Sequence, residues 1–152
     1  MAYSAADARQ RLLDAVAEAT DEMSAALAAL GEAYELVDEH TADVLEEQLF
    51  GPAQRAYGRA QRVHGAFADR YDLARREFEG HPPPLPSTGA RALVEQAVEH
   101  VARADLTLGE LQDSMLPVEV GDVELRTGLA EVRTLLGEVP PRARELVRTL
   151  GR

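Results

Sequence analysis

The chain has no cysteine and no tryptophan, and it also lacks isoleucine, lysine and asparagine. Without cysteine there is no disulfide frame, no thiolate nucleophile and no thiolate-bound zinc or iron–sulfur cluster. Isoleucine, lysine and asparagine share AT-rich codons. Their joint absence implies a GC-rich bacterial genome, and it makes every fixed positive side chain an arginine. Aromatic residues are only 5% of the chain, against 45% apolar residues with alanine abundant. That balance favours helices packed at close range over a sheet. No apolar run approaches the ~20 residues of a membrane span. The opening MAYSAADARQRLL lacks the basic region and apolar core of a secretory signal. The expected compartment is the cytoplasm, with export lacking a usual signal peptide as the alternative.

What is there is acidic. The net charge of −11 argues against nucleic-acid binding, which needs clustered positive charge to displace counterions, and against anionic membrane surfaces. The charge is uneven: residues 1–50 hold 2 Arg against 12 Asp or Glu, and residues 51–79 hold 6 Arg against 4 acids. An acidic helix next to a mildly basic one suggests that the two pair.

At 152 residues the chain fits one domain with a real core. Residues recur at alternating steps of four and three through Val16, Thr20, Met23, Leu27, Leu30, Tyr34, Val37, Thr41, Val44 and Gln48. They recur again through Ala53, Tyr57, Ala60, His64, Phe67, Tyr71, Ala74 and Phe78. Each run is a heptad seam, the pattern of a helix laid along a partner at a shallow angle. Gly51 suits a helix end and Pro52 a helix start. A reversal there sets Val37 beside His64 and Tyr34 beside Phe67, and brings Glu47 to Arg55 and Asp43 to Arg59. GHPPPLPSTG cannot continue a helix. It reads as a stiff connector, although Pro83 to Pro86 also fits a PxxP ligand, and Ser87 or Thr88 offers the next N-cap.

Residues 90–115 and 125–150 carry two more seams. MLPVEVGD reverses the chain between them, pairing Leu111 with Leu125 and Ala104 with Val132. Pro140-Pro141 predicts a break or kink and a short final helix. The expected fold is therefore an all-α antiparallel four-helix bundle of two hairpins, at about 4–79 and 89–150, joined by the connector at 80–88. Helix 1 then overhangs the bundle at its N-terminal end. Leu12, Leu13 and Val16 on that overhang form the candidate interaction surface, covered by the final helix and by a second copy of the chain in a homodimer, or by another protein; the alternative is a bend of helix 1 near Gly31 that folds the arm back.

Chemistry is sparse. His64 falls on a seam between Ala60 and Phe67. It reads first as a core histidine, and otherwise as the centre of a candidate pocket with Tyr34, Phe67 and Tyr71. His40 and His100 flank seams and His81 lies in the proline loop. Glu-x-x-His pairs, as in ferritin-like metal bundles, do not occur, since Val37 and Ala97 precede His40 and His100 by three. Three-histidine bundles need converging histidines, and the last helix has none. His100 lacks the Lys-Gly neighbour of phosphotransfer bundles, and no serine sits in Gly-x-Ser-x-Gly. No catalytic residue, metal site or cofactor is assigned.

Leu49, Phe50 and Gly51, with the Tyr-x-x-x-Asp patterns at Tyr3 to Asp7 and Tyr34 to Asp38, resemble WXG100-type proteins exported by type VII secretion. Those are helical hairpins with a Trp-x-Gly turn. The turn tryptophan is absent here and a second hairpin follows. The resemblance implies a secreted helical hairpin. The residues themselves point to a non-enzymatic, self-associating interaction or scaffold protein, with a ligand-binding or enzymatic bundle centred on His64 as the alternative.

Overall fold

The computed structural model describes residues 4–84 and 89–150. Tyr3, the Pro86 end of the PxxP pattern, and the Ser87 and Thr88 capping positions lie outside them. The described residues are helical, with no strand among them. They form α1 (Ala5–Glu35), α2 (Glu39–Leu45), a π-helical stretch (Glu46–Phe50), α3 (Gly51–Arg70), α4 (Ala90–Asp113), α5 (Leu116–Val120) and α6 (Val123–Leu150).

The first reversal is not at Gly51-Pro52. α1 starts where the Ser4 hydroxyl accepts the Asp7 N–H at 3.1 Å. It ends at Glu35, with the Leu36 N–H closing a tight turn onto the Ala33 carbonyl. Asp38 then caps α2 by accepting the Thr41 N–H at 2.7 Å, the usual role of an aspartate at a helix start. From Glu39 the chain stays helical to Arg70. Gly51 has right-handed helical angles, φ −56 and ψ −58. Pro52 lacks the N–H that would bond the Gln48 carbonyl, and its ring crowds that carbonyl. The helix widens by one π turn, in which the Gly51 N–H reaches the Glu46 carbonyl. The Gln48 carbonyl takes a replacement donor, Arg142 Nη1 of α6, at 3.4 Å. Leu49, Phe50 and Gly51 are therefore helix interior, and the turn implied by the WXG100 resemblance is absent there.

α3 is shorter than its seam. It stops at Arg70 in a Schellman motif: the Leu73 N–H bonds the Ala68 carbonyl at 2.8 Å, and Asp72 takes φ 54. Ala74 and Phe78 lie in an extended strap, residues 73–84, which runs back over α1 and α3. The second reversal falls in MLPVEVGD as expected. It includes α5 and Gly121, whose φ of 70 ends that short helix. The expected break at Pro140-Pro141 and separate short final helix are absent: α6 is one helix through both prolines. Val139 and Ala143 on either side are 0% and 1% exposed, so tertiary packing holds the turns that the missing donors weaken.

α1 packs against α4 and α3, and α6 against α3 and α4. Residue pairs fix the directions as antiparallel. Arg9 meets Tyr71 while Gly31 lies by Phe50. Glu22 meets His100 while Ala8 lies by Ser114. Arg59 meets Glu131 while Arg70 meets Asp122. Arg133 of α6 bonds Asp105 and Gln112 of α4. Arg59, which the Gly51 reversal would pair with Asp43, thus pairs with α6. Gly128 lets α6 approach α3 closely, since a Cβ there would run into the Val63 side chain.

Leu12, Leu13 and Val16 are 0%, 2% and 1% exposed. With the reversal at 36–38, the start of α1 does not overhang. It lies along the end of α3 and the end of α4, so the cover expected from a second copy comes from the chain itself.

Candidate functional site

Two polar clusters and one apolar end stand out. The first cluster joins the end of α3 to the start of α6. Asp122, only 6% exposed, caps α6 by accepting the Leu125 N–H at 2.8 Å. The Arg70 guanidinium grips the same carboxylate from Nε at 2.8 Å and Nη2 at 2.6 Å. The Tyr71 hydroxyl donates to it at 2.9 Å. Burial alone would raise the Asp122 carboxyl, but the bonds from Arg70, the Leu125 N–H and Tyr71 outweigh it and hold the group below the usual carboxylate range. The same bond to Asp122 raises the Tyr71 phenol and the Arg70 guanidinium. Arg70 also donates to Glu124 at 2.8 Å, and Arg9 of α1 lies over the Tyr71 ring at 4.4 Å. The cluster clamps three helix ends. Every lone pair it exposes inward is used, so it offers no free base.

The second cluster surrounds His64. The ring is 2% exposed, and its Nδ1 is buried with no hydrogen-bond partner among the described residues. Phe78 of the strap meets it edge-on at 5.0 Å. Arg76 of the strap lies over Phe78 at 4.9 Å and pairs with Asp21 of α1 at 2.8 Å. The Arg75 guanidinium packs on Gly65, where any Cβ would displace it. The His81 N–H reaches the buried Ser24 hydroxyl at 3.0 Å. Burial, then Arg76 and Arg75, push the His64 imidazole below its ordinary pKa, with Asp14 opposing. Beside the ring is an open cavity of about 390 Å³.

The four residues of the sequence-predicted pocket do not converge. Phe67 is buried under Tyr71, their rings 4.8 Å apart, and Tyr71 belongs to the Asp122 clamp. Tyr34 lies near the other end of α1, sharing a small cavity with Glu46 and Phe50. Among the described residues no three His, Cys, Asp or Glu side chains converge to hold a metal. No described helix is long and apolar enough to cross a membrane.

The apolar end escaped sequence reasoning. Met115, Val118 and Val123 are 61%, 56% and 63% exposed around α5. Next to them a cavity of about 730 Å³ is lined by Ala5, Ala8, Arg9 and Arg11 of α1 and by Met115 and Glu119. The signal was available: MLPVEVGD carries four apolar side chains in a turn too short to bury them.

Comparison with known proteins returned no matching family, no matching curated protein and no matching solved structure.

Proposed function

We propose that the protein is a non-enzymatic interaction module: an antiparallel four-helix bundle that pairs with a second copy of itself through the end carrying α5. The observation that carries this reading is the exposure of Met115, Val118 and Val123 together at one corner. Single exposed apolar residues need no explanation, but three within nine residues, the first of them lining a cavity, support an interaction site. The patch is also self-complementary. Arg9 lines the α1 side of the cavity and Glu119 the α5 side. A two-fold partner would set its own Glu119 towards Arg9 while both apolar corners are covered.

Sedimentation equilibrium from micromolar to millimolar concentration tests it. The wild-type mass should rise to that of a dimer. The triple variant Met115→Ser, Val118→Ser, Val123→Ser should stay monomeric with unchanged helical circular dichroism. A wild-type chain that stays monomeric throughout refutes the reading. A second reading, a small ligand held beside His64, is supported by the unpartnered Nδ1 and the adjoining cavity. A melting shift on adding a ligand, lost in His64→Gln, would carry it.

A further inference from the structure

We propose that residues 73–84 are a pH-sensitive strap, closed over neutral His64 and released from α1 and α3 when that ring takes a proton. The closed strap is held by few contacts. Leu73 and Phe78 are half-buried and the rest of residues 72–79 is exposed. Phe78 sits on the His64 ring, Arg75 on Gly65 and beside the exposed Asp69, Arg76 on Asp21 and the His81 N–H on Ser24. Three of these anchors, Phe78, Arg75 and Arg76, adjoin the histidine.

The charges around the ring decide which form the closed strap accepts. The strap brings Arg76 to the cavity and Arg75 beside it. α1 brings Asp14, Glu18 and Asp21, together with neutral Gln10, and α3 brings Asp69, which pairs with Arg75 at 3.7 Å. The acids outnumber the arginines but do not compensate a buried cation. Asp21 is engaged by Arg76 at 2.8 Å, Asp69 by Arg75, and Asp14 and Glu18 are exposed to water. The ring, by contrast, is out of water with an unpartnered nitrogen. A proton there creates an unsolvated cation beside two guanidinium groups, and lifting the strap returns the ring to water and takes both arginines away.

The direction of the pKa shift agrees: burial and the two arginines lower it in the closed form. The open form then binds one more proton than the closed form between the lowered value and the ordinary value of about 6.5. Closure is therefore complete above about pH 6.5. It weakens as pH falls, by up to about tenfold in the open-to-closed ratio per pH unit, until the closed form also protonates.

Amide hydrogen exchange on the full chain between about pH 7.5 and 5, corrected for the intrinsic pH dependence of exchange, tests this. Protection of the His81 amide should fall below about pH 6.5, while core amides such as those of Leu108 and Leu129 hold. His64→Gln should abolish the pH dependence. His81→Gln and His100→Gln should keep it, which separates His64 from the strap's own histidine and from the His100–Glu22 pair. Protection that does not change with pH overturns the proposal. So does a His64 ring that titrates by NMR at or above about 6.5 in the wild-type chain, since Asp14 would then hold the cation with the strap closed. That ring titration decides the matter even where a substituted chain fails to fold.

Discussion

Replacing Asp122 tests the joint between the two halves of the molecule. Asp122→Ala removes three things at once. The N-cap of α6 is worth about 1 kcal/mol. The two bonds from Arg70 are charge-assisted, a class worth about 1.5–3 kcal/mol. The lower end applies here, because Arg70 keeps Glu124 at 2.8 Å and its side chain is 29% exposed. The Tyr71 hydroxyl loses its acceptor but reaches water, so it adds little. The total is about 3 kcal/mol, and at ~2–4 °C per kcal/mol for a chain of this size the melting temperature should fall by roughly 6–12 °C. Asp122→Asn keeps an oxygen for the Leu125 N–H and should lose about half as much. In urea unfolding followed by circular dichroism, Arg70→Ala combined with Asp122→Ala should cost less than the sum of the two single changes, because each removes the same bonds. The carboxylate is held below its ordinary range, so its contribution is full above about pH 4, the unfolded value. It disappears as pH falls through the folded value. An Asp122→Ala chain within ~0.5 kcal/mol of wild type, or strictly additive single changes, would refute the clamp.

Other measurements probe the backbone. Gly128→Ala should destabilise by about 1–3 kcal/mol through the clash with the stiff, buried Val63. Gly31→Ala, with nothing within 4 Å of the added carbon, should stabilise by about 0.5–1 kcal/mol; melting curves of both distinguish close helix contact from mere helix propensity. Arg142→Met should cost about 1 kcal/mol in the wild-type chain and much less with Pro52→Ala, where residue 52 regains an N–H for the Gln48 carbonyl. Additivity of those two changes in a denaturation cycle would remove Arg142 as the partner that lets the helix pass Pro52.

Helical periodicity, the acidic charge, the reversal in MLPVEVGD and the burial of His64 are all legible in the residues themselves, because each follows from local spacing or composition. The apolar stretch at Met115, Val118 and Val123 was equally visible, but its exposure depends on which helix ends surround it. The candidate pocket failed for a specific reason. A seam with a seven-residue repeat matches itself after any whole number of heptads. The observed pairing sets Tyr34 near Glu46 in place of Phe67, a displacement of about three heptads. Seam matching could not tell the two registers apart.

The sequence alone therefore determined that this chain is a set of long amphipathic helices and which faces they bury. Only the tertiary structure decided where the first reversal falls. A glycine followed by proline can end one helix and begin another, or can lie inside a helix whose freed carbonyl finds a donor elsewhere. Here that donor is Arg142, far along the chain on α6, and a contact between residues so distant leaves no trace in the local pattern that reads as a turn.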